Sequence, residues 1–126
     1  MPRLVIFTDL DGTLLDASTY SAAPARAAMD ALAAHHAAIV FCSAKTAAEQ
    51  RALREQLGLT TTPFIVENGS AIFVPDAAGL PVQQWRASET APKERQFVLG
   101  VGARAVREAI RGAARATGCE VTGYAD

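Results

Sequence analysis

Cysteine, tryptophan and histidine are scarce in this chain, at two, one and two in 126 residues. Cys42 and Cys119 lie far apart and fit no zinc-ligand spacing. Cys42 follows the apolar run Ala37-Ala38-Ile39-Val40-Phe41 and reads as a small buried hydrophobe. The pair His35-His36 ends an Ala-rich helical segment and reads as solvent-facing rather than ligating. An excess of one charge is also missing: 12 Lys and Arg stand against 13 Asp and Glu, for a net charge of -1. No general attraction to nucleic acid or to an anionic membrane follows, so a phosphate-bearing ligand has to be held by local charges or by a metal. No hydrophobic run approaches the roughly 18 residues of a bilayer span, and Met1-Pro2-Arg3 leads into a strand rather than a signal core. A cytoplasmic setting is expected, with no nucleic-acid or membrane partner.

What is present is a globular composition, 50% hydrophobic and 20% charged, in about one domain's worth of chain. Three short apolar runs, Leu4-Val5-Ile6-Phe7, Ala38 to Cys42 and Phe64-Ile65-Val66, read as buried strands. Helical spacing separates them. Pro24 suits a first helical turn, and Ala28, Met29, Leu32 and Ala33 follow at helical intervals. Thr46 and Glu49 have the spacing of a capping box, Leu53 and Leu57 supply an apolar stripe, and Gly58 is a natural stop. Strand, helix, strand, helix, strand predicts an α/β fold with a parallel, doubly wound sheet. Asn68-Gly69 predicts a tight turn into a returning strand at Ala71 to Val74, and Leu80 to Gln83 a further short strand. The chain changes character near Trp85, where a boundary divides residues 1–84 from 85–126. In the second part Val106, Ala109, Ile110 and Ala113 mark an amphipathic helix that stops at Gly118, and Cys119 to Thr122 begin another strand.

The most informative stretch is Thr8-Asp9-Leu10-Asp11-Gly12-Thr13, at the exit of the first strand. Residues two apart in an extended segment share a face, so Asp9 and Asp11 point into one cleft, and Gly12 supplies the backbone angles of a sharp exit. Parallel strands bring their C-terminal ends to one edge, where open α/β sheets place their chemistry. Asp9, Asp11, Ser43, Lys45 and Asn68 converge there. One carboxylate can attack phosphorus and form an acyl-phosphate. A second, two residues on, can protonate the leaving oxygen and then activate water. A hydroxyl and a lysine can hold phosphoryl oxygens, and paired carboxylates with phosphate suit Mg²⁺ better than zinc.

These residues resemble a known family. Asp9-Leu10-Asp11-Gly12-Thr13-Leu14 resembles the opening signature of the haloacid dehalogenase-like phosphatases. Phe41-Cys42-Ser43-Ala44-Lys45-Thr46 and Pro63-Phe64-Ile65-Val66-Glu67-Asn68-Gly69 look like the mannosyl-3-phosphoglycerate phosphatase branch. The resemblance covers residues 3–75 well and 97–124 loosely. It implies a Rossmann-like core carrying an inserted α+β cap that begins near Trp85. It also implies Asp9 as nucleophile and Mg²⁺ ligand, and Asp11 as general acid/base, with its backbone carbonyl a second metal contact. Gly12, Thr13, Ser43, Lys45 and Asn68 are implied to bind phosphate and substrate, the expected substrate being a small phosphorylated sugar-glycerate.

The departures are equally plain. The family pattern also contains a later lysine and a second acidic motif, and neither is present; Lys93 does not fit the lysine's place. The chain ends at Gly123-Tyr124-Ala125-Asp126, inside the expected cap. It therefore reads as the N-terminal portion of a phosphatase, impaired when alone and with an apolar sheet edge exposed. Two alternatives stand beside it: another sugar-phosphate phosphatase of the same superfamily, and an inactive fragment that binds a phosphate or a partner. A phospho-accepting receiver would need an aspartate at the end of the third strand, where Glu67-Asn68-Gly69 stands instead.

Overall fold

A computed structural model describes residues 4–122, with the backbone alone for 89–91. The elements run β1 (Val5–Thr8), α1 (Arg26–Ala34), β2 (Ala38–Cys42), α2 (Ala47–Leu57), β3 (Phe64–Val66), β4 (Ala71–Pro75), β5 (Glu89–Ala91), β6 (Glu94–Val98) and α3 (Ala103–Thr117). The helices begin and end where side-chain chemistry dictates. Pro24 lies in a short 3-10 turn that leads into α1. The Thr46 hydroxyl accepts from the Glu49 N–H while the Glu49 carboxylate accepts from the Thr46 N–H, a complete capping box. Gly58 closes α2 in the left-handed conformation, at φ 70°.

The six strands form one sheet in the order β1-β2-β3-β4-β6-β5. β1, β2 and β3 pair in parallel, with Phe7 opposite Val40 and Phe41 opposite Phe64. From β3 onward every pairing is antiparallel. Right-handed crossovers in a 1-2-3 strand order put α1 and α2 on the same face. Among the described residues Met29 of α1 and Leu53 and Leu57 of α2 accordingly share one core on that face. Phe7 and Val5 are left exposed on an edge strand, the apolar edge the sequence led us to expect.

The main core gathers Leu10, Leu14, Leu15, Met29, Phe41, Phe64, Val66 and Phe73, with Leu53 and Leu57 of α2 packed against it. β4 serves two cores through the period-2 alternation of a strand. Ala71 and Phe73 face the main core, whereas Ile72 and Val74 face a second cluster with Val82 and Phe97. The segment holding Leu80, Val82 and Ala87 packs on that second cluster, and Trp85 meets Phe97 edge-on at 5.7 Å between centroids.

Two strand expectations are corrected here. Leu80 to Gln83 is a turn-rich segment and not a strand, because it covers the sheet face instead of pairing at an edge. Cys119 to Thr122 are not in a strand; they follow the left-handed stop of α3 at Gly118 as irregular chain. The sheet itself runs on past residue 84, since β6 pairs with β4 along Ala71–Pro75. The chain leaves the sheet only after Val98. Gly123 to Asp126 lie outside the described residues.

Candidate functional site

β1, β2 and β3 run parallel, so their exits share one edge of the sheet. β1 delivers Asp9 and Asp11, both exposed, on either side of Leu10, which is fully buried. Leu10 anchors this loop. Its carbonyl accepts from Leu15 N–H at 2.8 Å and from Thr13 N–H at 3.3 Å, while Leu14 and Leu15 sink into the core. Gly12 makes the turn at φ 70°, where a β-carbon would meet Ala17. Asp9 Oδ1 accepts from the Leu10 N–H at 2.8 Å, which fixes one of its oxygens. Gly12 and Thr13 are exposed beside it.

β2 delivers Ser43, which is buried, and Lys45. The Ser43 N–H donates to the Ile65 carbonyl, and its Oγ accepts from the Lys45 N–H at 3.2 Å. β3 delivers Asn68, whose N–H donates to the Ser43 carbonyl at 3.2 Å. Glu67, Asn68 and Gly69 all have positive φ, at 49°, 56° and 105°. That run turns the chain sharply at the site edge, and for Glu67 it is a conformation that non-glycine residues seldom adopt. The expected tight turn is there, and the exits of β2 and β3 are tied directly to each other.

The contact that joins the first two exits is ionic. Lys45 Nζ lies 3.0 Å from Asp11 Oδ1. The hydrogen bond to Asp11 holds the Lys45 ammonium above its usual range, against the opposing pull of partial burial. Burial, and then the nearby Asp9 carboxylate, push the Cys42 thiol up.

Two residues were not legible from the sequence pattern. Gln50 is fully buried, and its Nε2 donates to the Ile65 carbonyl at 2.8 Å and to the Lys45 carbonyl at 3.4 Å. It is a strut that ties α2 to the exits of β2 and β3. Its position four residues after the Thr46 cap, on the inward side of α2, is the only signal the sequence carries. Tyr20 lies beside Lys45, whose Nζ is 5.5 Å from the ring centroid. Lys93 sits in the β5–β6 turn, at the edge of the sheet away from the site, where its carbonyl accepts from Asp76 N–H. A cavity of about 640 Å³ at that far edge is lined by Arg51, Arg54, Lys93, Asp76 and Glu94, and its charges largely pair with one another.

Residues 6–94 match the haloacid dehalogenase-like hydrolase family. The chain belongs to that family. It is 35% identical over 123 residues to a glucosyl-3-phosphoglycerate/mannosyl-3-phosphoglycerate phosphatase of Methanococcoides burtonii, covering 97% of this chain and 44% of that protein. It thus spans under half the length of that curated relative. A solved haloacid dehalogenase-like hydrolase from B. subtilis superposes with a TM-score of 0.56 at 20% identity, over 94% of this chain and 34% of the other. The fold of this haloacid dehalogenase-like chain is therefore the α/β fold of that structure.

Among the described residues, no group of three or more His, Cys, Asp or Glu side chains is placed to hold a metal. Mg²⁺, however, is commonly bound through one or two carboxylates, with waters and phosphate oxygens completing its shell. The all-oxygen donors of Asp9 and Asp11, on one short loop, fit that mode.

Proposed function

We propose that this chain carries the nucleophile half of a phosphatase site acting on a phosphorylated glycoside of the mannosyl-3-phosphoglycerate type. One observation carries the reading: the Asp9-Leu10-Asp11 loop lies at a strand exit with Lys45 of the next exit bonded to Asp11. The match to a phosphoglycerate-glycoside phosphatase supports the substrate class.

In this reading a carboxylate oxygen of Asp9 attacks phosphorus, and the bond to the sugar-glycerate oxygen breaks. Asp11 gives its proton to that leaving oxygen. The resulting Asp11 carboxylate then takes a proton from water, whose oxygen attacks the phosphorus of the aspartyl-phosphate and restores Asp9. Ser43 and Lys45 hold phosphoryl oxygens, and Gly12, Thr13 and Asn68 line the approach. Mg²⁺, held by Asp9 and by Asp11, would neutralise charge on the phosphoryl group. Leu99 N–H and Gly100 N–H both donate to the Ser70 carbonyl, at 2.9 Å each, so the chain leaves the sheet at the site edge. A cap that begins there, after Val98, has direct access to the substrate. The free Cys42 and Cys119 accord with a reducing, cytoplasmic setting.

A phosphate-release assay with mannosyl-3-phosphoglycerate and Mg²⁺ tests the reading. Wild type is expected to turn over and Asp9→Asn to fall to background. Equal turnover by the two proteins would remove Asp9 from the role of nucleophile. Among the described residues no third metal-ligating side chain joins Asp9 and Asp11, which favours one second reading, in which the chain binds the phosphorylated glycoside without turnover. Binding of the intact substrate with no phosphate release would select it.

A further inference from the structure

Tyr20 has a left-handed backbone, at φ 56°, in a bulky residue for which that region is a genuine outlier. The loop around it is built to hold it there. The Tyr20 N–H donates to the Asp16 carbonyl at 2.9 Å, and the Asp16 N–H donates to the Ser21 carbonyl at 3.0 Å. Asp16 Oδ1 accepts from Ser18 N–H, Thr19 N–H and the Thr19 hydroxyl, at 3.0, 2.8 and 2.9 Å. Core packing does not account for this arrangement, because Tyr20 is 59% exposed. Its ring instead stands 5.5 Å from Lys45 Nζ, the same ammonium that lies 3.0 Å from Asp11 Oδ1.

We infer that Tyr20 is a specificity-determining residue of this site: its ring packs the C–H face of a pyranose whose attached anionic group is held by Lys45. The chemistry follows from the pair. An aromatic face is apolar and electron-rich, so it can cover sugar C–H bonds without stranding a polar group, and it also attracts the neighbouring ammonium. Lys45 supplies the charge for a phosphate or carboxylate on the same molecule. A phosphomonoester with no sugar reaches Lys45 but has nothing to place on Tyr20. The residue therefore separates glycosides from bare phosphomonoesters of equal charge. This inference rests on the phosphatase reading of the site.

Calorimetric titration of the full chain tests it, with Asp9→Asn as background to block turnover and Mg²⁺ in the buffer. The probes are mannosyl-3-phosphoglycerate and 3-phosphoglycerate. Adding Tyr20→Ala is expected to weaken the glycoside about tenfold and 3-phosphoglycerate less than twofold, while Tyr20→Phe keeps both affinities. Tyr20→Leu, which retains bulk at the left-handed position, is expected to behave as Tyr20→Ala, and a thermal melt of each variant checks the fold. Equal weakening of both probes, or of neither, overturns the role of Tyr20 while leaving the phosphatase reading in place. Failure of the Asp9→Asn chain to bind either probe overturns both.

Discussion

Lys45 connects more of the site than any other side chain, since it reaches Asp11, lies against Tyr20 and shares its backbone carbonyl with Glu67 and Gln50. Removing its charge leaves Asp11 without its cation and, on the proposed reading, leaves Ser43 alone to hold phosphoryl oxygens. In the proposed reaction Lys45→Ala is expected to lower kcat/KM by about 10²-fold, with Lys45→Arg recovering part of the loss, as steady-state kinetics would show. One residue on, the capping box makes a prediction about stability. Thr46→Ala is expected to cost about 1 kcal/mol in urea unfolding. Glu49 is held below the usual carboxylate range by the Thr46 hydroxyl first and the Thr46 N–H second. A carboxylate depressed on folding stabilises above its unfolded pKa, and that contribution is lost as pH falls through the folded value. The urea midpoints of wild type and Glu49→Gln should therefore differ at neutral pH and converge as the solution is acidified below the carboxylate range.

At the scale of elements, the joint between α2 and the sheet is held by two stacked aromatics and two arginines. Phe64 and Phe73 are register partners on β3 and β4, with ring centroids 4.8 Å apart and planes 9° from parallel. Arg54 lies 4.4 Å from the Phe64 centroid and Arg51 4.7 Å from that of Phe73. Arg54 is buried, and burial pulls its guanidinium below its usual range. It donates to the Thr60 carbonyl and faces Glu94 at 3.8 Å, while Arg51 meets Glu94 at 2.6 Å. Phe64→Ala is expected to cost about 4 kcal/mol, the range for emptying a buried aromatic site. Glu94→Gln should cost about 2 kcal/mol, because it leaves a buried cation short of its counter-ion while Arg51 remains partly solvated. Chemical denaturation of each variant measures both losses. The helices and first strands were legible because caps, stops and apolar runs are local. Glu94 was not, since its pairing with α2 spans residues 51 to 94 and leaves no periodic trace. The segment from Leu80 to Gln83 misled for the same reason: an apolar run that covers a sheet face resembles one that joins its edge.

For the whole molecule, the uncovered edge has consequences. β1 terminates the sheet, and Leu4, Val5 and Phe7 are 54%, 39% and 64% exposed. α3 likewise buries none of its residues among the described contacts, and Val106 and Ile110 are exposed on it. Unpaired strand edges with apolar side chains template association between copies. Sedimentation velocity is expected to show concentration-dependent self-association of this chain. Phe7→Lys should reduce that association while shifting the unfolding midpoint little, because the side chain it replaces is already in water.

The sequence alone determined the family, because Asp9-Leu10-Asp11-Gly12-Thr13 and the stretches around Ser43 and Asn68 are contiguous motifs that can be read locally. It also determined the limits of α2, through Thr46, Glu49 and Gly58. Tertiary structure decided which groups meet. It set Lys45 on Asp11, put Tyr20 beside Lys45, buried Gln50 as a strut between strand exits, and carried the sheet past residue 84 to Val98. Those contacts depend on strand order and register, which arise from long-range pairing and burial and are not written in any one stretch of residues.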